Sequence, residues 1–300
     1  MYDSILVPID GSDHAVRAAE HGLALARWFD ATVHVLTVVD VAAAGGVFNA
    51  GGVDAEFVQR LEAEAETATE RIEAIADGSE TVRTALQRGS PADVILEYAA
   101  ENGIDLIAMG THGRTGVNRY VAGSVTEHVV RRSDVPVLTA RVADRSEWTG
   151  GYDEVLLPTD GSEEASAAVD HGLGIATKAD ARVHAVNIVD VSNVAGTPNV
   201  AASRKLLSQF ESQGERATEA IATRARDAGL EAVTAVQEGF PASGLLEYAA
   251  ENEIDLIAMG THGRTGLGRV LLGSTTERLI RRAGMPVLAV KSSSGDSNSE

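Results

Sequence analysis

Two segments of this chain combine glycines and hydroxyl side chains at a spacing suited to holding phosphate. Both follow the pattern Gly-x2-Gly-x9-Gly-Ser, which occurs at Gly110, Gly113, Gly123 and Ser124 and again at Gly260, Gly263, Gly273 and Ser274. Glycines let backbone N–H groups approach an oxyanion without a side chain in the way. The Gly-Ser pair is expected to open a helix, whose N-terminus attracts anions. We therefore predict a phosphate site in each segment; the alternative is a glycine turn with an ordinary N-cap and no ligand.

Further residues of the same segments could contact a phosphate. The candidates are the hydroxyls of Ser124, Thr126, Ser274 and Thr276 and the guanidinium groups of Arg114 and Arg264. An arginine can hold a phosphate with two parallel hydrogen bonds, but a surface arginine is often only solvated. His112 and His262 lie in the same segments, where a histidine can bond a phosphate or simply cap the turn.

The two segments belong to a tandem duplication with an offset of 150 positions. EYAAENGIDLIAMGTHGRTG at 97–116 matches EYAAENEIDLIAMGTHGRTG at 247–266, and ILVPIDGS at 5–12 matches VLLPTDGS at 155–162. Each copy is long enough to bury its own core. We predict one domain over 1–142, a linker over 143–151, a second domain over 152–291 and a disordered polar tail over 292–300. A chemical residue found in only one copy is a weak candidate for a shared function.

Each copy alternates short apolar strands with amphipathic helices. In copy one the predicted strands are 4–9, 32–39, 81–87, 104–109 and 135–141, and the predicted helices are 13–29, 55–76, 92–100 and about 124–132, with a glycine-rich loop over 40–53. In copy two the predicted strands lie near 154–159, 182–189, 231–237, 254–259 and 286–291. This alternation predicts right-handed crossovers and a parallel sheet with helices on both faces. Ser12 is a suitable N-cap for the first helix.

Ligands of open α/β sheets bind at the carboxyl ends of the strands, near the point where the strand order reverses. Residues that end or follow strands one, two and four are Pro8, Asp10, Val41 and Met109 in copy one, and Pro158, Asp160, Val191 and Met259 in copy two. The sequence therefore places an aspartate beside the predicted phosphate segment in both copies.

This combination of a strand-end aspartate with the glycine segment closely resembles the ATP-binding branch of the universal stress protein family, and the resemblance covers both copies nearly end to end. It implies two tandem open five-stranded parallel sheets of the adenine nucleotide alpha hydrolase type, which is Rossmann-like, with strand order 3-2-1-4-5. It also implies that the aspartate and the residue after strand two hold adenosine, while the glycine segment holds ribose and phosphates. The implied ligand is ATP, AMP or ADP, with or without Mg²⁺.

Carried over position by position, the resemblance implies one site per copy. The first consists of Asp10, Val41, Met109, Gly110, Gly113, Gly123, Ser124 and Thr126, and the second of Asp160, Val191, Met259, Gly260, Gly263, Gly273, Ser274 and Thr276. Val125 against Thr275 is a tolerable difference, because backbone groups would make that contact.

Other classes of site are excluded by the sequence. There is no cysteine, so disulfides, thiolate metal sites and cysteine nucleophiles are absent. No P-loop, no G-x-G-x-x-G after the first strand and no G-x-S-x-G elbow occurs. His14 becomes Glu164 and His128 becomes Arg278 in copy two, so neither histidine supports chemistry common to both copies.

The net charge of −19 disfavours nucleic acid and anionic membranes as partners. The sequence contains no run of about 20 apolar residues, the length needed to span a membrane. No basic-then-apolar leader opens the chain, so we expect a cytoplasmic protein.

The only lysines are Lys178, Lys205 and Lys291. An acidic, lysine-poor composition resembles that of proteins from salt-loving cells, so we expect a halophilic archaeon as the source; an ordinary acidic cytosolic protein is the alternative.

Three functions remain open. The first is a nucleotide-dependent regulatory module of the stress response that acts on an unidentified protein partner, and the second is a slow ATPase or nucleotide-transfer enzyme that uses the same sites. The third is a scaffold without a ligand. Near the predicted phosphates only the strand-end aspartate and the loop histidine recur in both copies, and the aspartate is expected at the adenosine end, so binding ranks above catalysis.

The resemblance also bears on assembly. Family members pair through their last strands, which implies that 135–141 and 287–291 pair within one chain as a pseudo-dimer. A further association of two such chains into a homodimer is left open.

Overall fold

A computed structural model describes residues 1–40, 55–76, 78, 80–112, 123–193, 200–262 and 272–292. The chain divides into two compact units, Met1–Gly150 and Gly151–Glu300, which we call unit one and unit two. Within the described ranges, no helix has both the length and the apolar character needed to cross a membrane.

Unit one alternates parallel strands with helices. Its strands are β1 (Ser4–Ile9), β2 (Thr32–Val39), β3 (Val82–Arg88), β4 (Leu106–Gly110) and β5 (Val137–Ala140), and its helices are α1 (Asp13–Phe29), α2 (Ala55–Glu73), α3 (Pro91–Glu101) and α4 (Ser124–Arg132). A short 3-10 turn follows at Asp144–Ser146.

Unit two repeats this arrangement. Its strands are β6 (Glu154–Pro158), β7 (Arg182–Asp190), β8 (Ala232–Gly239), β9 (Leu256–Gly260) and β10 (Val287–Val290), and its helices are α5 (Glu163–Ala179), α6 (Val200–Asp227), α7 (Pro241–Glu251) and α8 (Ser274–Arg282). A 3-10 turn at Val191–Asn193 follows β7.

The strands run in parallel within each unit. Neighbours follow the order β3-β2-β1-β4-β5 in unit one and β8-β7-β6-β9-β10 in unit two, so the order reverses beside β1 and beside β6. The prediction of two separate five-stranded sheets is wrong, because all ten strands are counted in a single ten-stranded sheet. The predicted order 3-2-1-4-5 describes a run of neighbours within that sheet and not the whole of it.

The strands form the core because both of their faces are covered. Ile5, Leu6, Leu106 and Ile107 are inaccessible to solvent, as expected for parallel strands with nearly continuous apolar sequence. The α/β class and the bounds of α1 and β2 are as predicted. The strand predicted over 104–109 begins later, because the N–H of Ile104 still bonds the carbonyl oxygen of Ala99 at the end of α3.

Residues 143–150, which we call the connector, pack on α1. Ser146 is fully buried, and its carbonyl oxygen lies 2.9 Å from Nε2 of His21. Trp148 lies edge-on to His21 and to Trp28, with ring centroids 5.4 Å and 5.6 Å apart. Burial lowers the pKa of His21 to about 4, so the imidazole is neutral near pH 7 and donates its Nε2 hydrogen to Ser146.

Candidate functional site

The aspartates that follow β1 and β6 are fixed by the helix caps next to them. Oδ1 of Asp10 accepts the backbone N–H of Ser12 at 3.0 Å, and Oδ1 of Asp160 accepts the N–H of Ser162 at 3.0 Å. Oδ1 of Asp160 also accepts the Ser162 hydroxyl at 2.6 Å. Each serine in turn caps its helix, as predicted for Ser12. Both carboxylates are therefore held at the carboxyl end of the sheet.

The β4–α4 junction repeats at the β9–α8 junction. The N–H of Gly123 donates to the carbonyl oxygen of Thr111 at 2.7 Å, and Gly273 donates to Thr261 at 2.8 Å. The helices begin at Ser124 and Ser274, where the sequence predicts them. A Cβ on Gly273 would lie 3.0 Å from the Thr261 oxygen, so glycine is needed for this close turn. The two junctions have the same backbone construction.

The first turns of α4 and α8 lack a side-chain cap. Gly123 and Gly273 are the N-cap residues, and neither provides a side-chain hydrogen bond. Ser124 and Ser274 are exposed at the same place. Uncapped N–H groups at a helix N-terminus, together with an exposed hydroxyl, are suited to an anion.

The hydroxyls of Thr126 and Thr276 bond to the strand that precedes each helix. The hydroxyl of Thr126 donates to the carbonyl oxygen of Gly110 at 2.7 Å, and that of Thr276 donates to Gly260 at 2.8 Å. Both threonines are buried. Because a hydroxyl has one hydrogen to donate, these side chains fix the helix to the preceding strand and do not donate to a ligand in this arrangement.

Unit two contains a cavity of about 390 Å³ at the carboxyl ends of its strands. The predicted residues that line it are Pro158, Asp160, Met259, Gly260, Gly273, Ser274, Thr275 and Thr276. Val191 is not among the lining residues; it lies in the 3-10 turn after Asp190, which does line the cavity. The structure thus brings the strand-end aspartate and the helix N-terminus to one cavity, which we call site two.

The cavity also has walls that the sequence did not predict. They include Asn187, Phe210, Gln213, Gly214, Pro241 and Leu245. Nδ2 of buried Asn187 donates to the carbonyl oxygen of Thr159 at 2.6 Å, next to Asp160. A Cβ on Gly214 would lie 2.5 Å from Oδ1 of Asn187, so the glycine leaves room for the amide. The available signal was a polar residue inside an apolar strand, at a position where copy one has Thr37.

The equivalent residues of unit one, Pro8, Asp10, Met109, Gly110 and Gly123–Thr126, are called site one. A Cβ on Gly110 would lie 2.7 Å from the backbone carbon of His14, so this glycine is required for the approach of α1 to β4. Five predicted residues lie outside the described residues: Val41, Gly113, Arg114, Gly263 and Arg264.

The loop histidines make the same contact in both units. Nδ1 of His112 lies 2.9 Å from the Thr111 hydroxyl, and Nδ1 of His262 lies 2.9 Å from the Thr261 hydroxyl. His262 lines the cavity of site two. In unit one the ring of His14 lies 5.0 Å from that of His112.

Metal ligands are not gathered around either site in the part of the chain that the structure describes, which contains no group of three His, Cys, Asp or Glu side chains able to hold an ion. A Mg²⁺ ion that arrives with a nucleotide is held largely by phosphate oxygens and water, so the described residues are compatible with such an ion.

The fold and the strand-end site define an α/β protein with two similar ligand-site scaffolds, and comparison with known proteins gives the family. The model of the universal stress protein family matches residues 1–141 and again 151–291, so the chain belongs to that family, with two of its domains in tandem. Universal stress protein MJ0531 of Methanocaldococcus jannaschii is 39% identical over 140 residues, covering 47% of this chain and 82% of that protein.

Two further comparisons give a second relative and a solved structure of similar fold. Universal stress protein MJ0577 of the same organism is 29% identical over 154 residues, covering 47% of this chain and 95% of that protein. The crystal structure of a universal stress protein from Archaeoglobus fulgidus matches with a TM-score of 0.69 at 21% identity, covering 96% of each chain. At that identity the likeness supports the fold alone.

Proposed function

We propose that this chain is an ATP-binding regulatory module of the stress response, with one adenine nucleotide site in each unit. The observation that carries the proposal is the cavity of site two, which is lined by Asp160, Gly260 and the first turn of α8. Its volume of about 390 Å³ falls within the range of roughly 300–1,000 Å³ common for small-molecule sites. Its carboxylate can accept hydrogen bonds from sugar hydroxyls, and its uncapped helix N-terminus can donate hydrogen bonds to phosphates.

Different walls of the cavity offer hydrogen-bond donors, a carboxylate acceptor and apolar contact. The N-terminus of α8 and the Ser274 hydroxyl offer donors to phosphate oxygens. Asp160 offers a carboxylate acceptor for sugar hydroxyls, and its second role is to hold the α5 cap. Pro241, Leu245 and Phe210 contribute apolar wall for a base. In this proposal Thr276 positions the donors of the first turn.

Site one is proposed on the same grounds of backbone geometry. The cap of α1, the Gly123 turn and the Thr126 hydrogen bond each have a counterpart in unit two with nearly equal distances. A second nucleotide site per chain is therefore part of the proposal.

Binding is favoured over catalysis by the residues near the phosphate end. The Thr276 hydroxyl is engaged by the carbonyl oxygen of Gly260, and Asp160 is assigned to the sugar end, where Ser162 engages its Oδ1. His262 is the remaining candidate base that recurs in both copies. The alternative of a slow ATPase or nucleotide-transfer enzyme is tested by incubating the full chain with labelled ATP and Mg²⁺. Turnover that disappears in Gly113→Ala and Gly263→Ala variants would support the enzyme.

The binding test uses calorimetric titration of the full chain with ATP. Asp10→Ala and Asp160→Ala should each weaken one site by about tenfold or more, because a hydrogen bond to a charged group is worth roughly 1.5–3 kcal/mol. Asp3→Ala and Asp153→Ala are matched controls, since these exposed aspartates precede the opposite ends of the same strands. Equal losses in the site and control variants would contradict the proposal.

The expected source in a salt-loving cell, the cytoplasmic location and the pairing of the last strands stay predictions. Measuring unfolding of the chain between low and multimolar KCl tests the first of them. A halophilic protein carrying a net charge of −19 gains stability as salt screens its self-repulsion.

A further inference from the structure

Asn187 places a buried amide in the wall of site two. It is 7% exposed, and it lines the cavity together with Phe210 and Gly214. Phe210 and Gly214 lie four positions apart on α6, so they share one face of that helix. The amide of Asn187 therefore lies beside the apolar wall that the proposed function assigns to the base.

The amide of Asn187 is held in one orientation. Its Nδ2 donates to the carbonyl oxygen of Thr159 at 2.6 Å. Because a carbonyl oxygen can only accept, the nitrogen must face Thr159 and Oδ1 must point away from it. Oδ1 lies against α6, where a Cβ on Gly214 would approach it to 2.5 Å. No residue in the described part of the chain donates a hydrogen bond to this oxygen.

A buried acceptor of this kind selects its ligand by the hydrogen that the ligand supplies. Leaving such an oxygen without a donor costs free energy, so a ligand that brings an N–H is favoured. Adenine carries an amino group at position 6 of the purine ring, which is a donor, whereas guanine carries a carbonyl oxygen there, which is an acceptor. Oδ1 of Asn187 is therefore suited to a 6-amino purine and unsuited to a 6-oxo purine.

Unit one has Thr37 at the equivalent position. Thr37 is buried, and its hydroxyl oxygen lies 3.4 Å from that of Thr69, where either oxygen could be the donor. A hydroxyl can turn to donate or to accept, so it tolerates an amino group or a carbonyl oxygen. The two units thus differ in hydrogen-bonding chemistry at one position of an otherwise repeated site.

We infer that Asn187 is a specificity-determining residue that makes site two select 6-amino purines over 6-oxo purines, whereas site one accepts both. This inference rests on the proposed function. Oδ1 of Asn187 accepts a hydrogen from the 6-amino group. A 6-oxo group leaves Oδ1 without a donor and places a second acceptor against it, which is the kind of mismatch that polar sites reject most strongly.

The experiment measures the affinities of ATP and inosine triphosphate, a 6-oxo purine nucleotide, by calorimetric titration of the full chain. Asp10→Ala isolates site two, and Asp160→Ala isolates site one. At site two, inosine triphosphate should bind about tenfold or more weakly than ATP, because a buried acceptor is left without a donor. At site one the two affinities should agree within about threefold. This comparison needs no change at Asn187.

Asn187→Thr in the Asp10→Ala background should remove most of this discrimination. The variant gives site two the hydroxyl of site one, so the ratio of ATP to inosine triphosphate affinity should fall to about threefold or less, while ATP itself weakens only about threefold. Asn252→Thr is the matched control and should keep the parent ratio. Nδ2 of Asn252 also donates to a backbone carbonyl, that of Tyr248 at 2.9 Å, but at the far end of α7.

The outcomes separate the inference from the proposed function. Equal affinities of ATP and inosine triphosphate at site two would overturn the inference. An unchanged ratio in Asn187→Thr, in a variant whose melting temperature is preserved, would also overturn it. So would rejection of 2′-deoxy-ATP without rejection of inosine triphosphate, since Oδ1 would then serve a sugar hydroxyl. If the parent chain binds neither ATP nor inosine triphosphate, the proposed function itself fails.

Discussion

Units one and two share the backbone of the candidate site but differ in the side chains behind it. Three hydrogen-bond distances agree to about 0.1 Å between the units. They are the serine N–H to the aspartate, the N–H of the turn glycine to the threonine carbonyl, and the threonine hydroxyl to the glycine carbonyl. The side chains behind them differ, as in Thr37 against Asn187. The duplication therefore repeats a set of backbone positions. The surrounding side chains differ between the units and can give each site a different affinity for a ligand.

A second difference lies at the opposite end of the sheet. In both units a buried histidine meets a tyrosine, with His34 Nδ1 2.9 Å from Tyr98 and His184 Nδ1 2.8 Å from Tyr248. Only in unit two does a carboxylate extend the pair among the described residues, because Oε2 of Glu154 lies 2.7 Å from Nε2 of His184. Four variants test how far the two units are equivalent, and their expected effects range from about 3 kcal/mol to a roughly threefold change in affinity.

The largest effect is expected from Gly110→Ala in unit one. A Cβ there would lie 2.7 Å from the carbon and 2.9 Å from the oxygen of the His14 backbone, which cannot move without displacing α1. We expect a loss of about 3 kcal/mol in the free energy of unfolding. Gly172→Ala should cost less, about 1–2 kcal/mol, because its closest contact is the flexible end of Leu157, with the Cβ of Ala258 at 3.1 Å. Gly151→Ala, with open space around it, is the control in urea denaturation; equal costs at all three positions would contradict the packing argument.

Acid should destabilise unit one through His21. Its pKa is lowered to about 4 by burial from about 6.5 in the unfolded chain. The unfolded state therefore binds more protons between these values, so the stability is fully present above pH 6.5 and is lost as the pH falls toward 4. At pH 5 the loss is about 2 kcal/mol relative to pH 7.

The comparison for His21 is a His21→Gln variant, whose amide can still donate to Ser146 but does not titrate. Chemical denaturation at pH 7 and pH 5 should show a steeper acid loss in the parent chain than in the variant. Both tryptophans of the chain, Trp28 and Trp148, lie at this contact, so their fluorescence reports the release of the connector. Identical pH profiles would show that the contact with Ser146 does not control acid stability.

Several parts of the fold and site could be predicted from the sequence because they depend on local rules. The helix starts at Ser124 and Ser274 followed from the Gly-Ser pair, and the Ser12 cap followed from its place between strand and helix. The apolar runs gave the buried strands because a strand covered on both faces has little room for polar residues.

The rest depended on contacts between distant positions. The partner of Asn187 is the carbonyl of Thr159, just after the neighbouring strand β6, and the partner of Thr126 is the carbonyl of Gly110. The sequence predicts only a linker over 143–151. It does not show the packing of Ser146 and Trp148 on α1, because their partner His21 precedes them by more than 100 positions. A sequence pattern carries no sign of such pairings.

Glu154→Ser gives unit two the residue found at the equivalent position of unit one, Ser4. This change should cost about 1 kcal/mol in the free energy of unfolding. Burial alone would raise the pKa of Glu154, but hydrogen bonds from Arg182 and His184 outweigh it and lower the pKa. Without the carboxylate, the buried Nε2–H of His184 loses its acceptor. Glu251→Ser, at an exposed position at the end of α7, is the control; no difference between the two variants would show that the carboxylate adds nothing to the histidine–tyrosine pair.

The smallest effect is expected from Asn187→Thr, which makes site two resemble site one. The amide holds the carbonyl of Thr159 directly before Asp160, so its loss should weaken ATP at site two by about threefold through a less well-held aspartate. Titration in the Asp10→Ala background isolates this site. Thr37→Ser in the Asp160→Ala background serves as the matched change in unit one, and it should leave affinity within about twofold.

Both units are proposed to bind an adenine nucleotide. The most direct measurement is the number of ATP molecules bound per chain at saturation, determined by equilibrium dialysis of the full chain with labelled ATP. We expect two ATP molecules per chain for the parent. In Asp10→Ala or Asp160→Ala, one of the two should bind with weakened affinity. A saturated parent chain that holds one ATP or none would contradict this proposal.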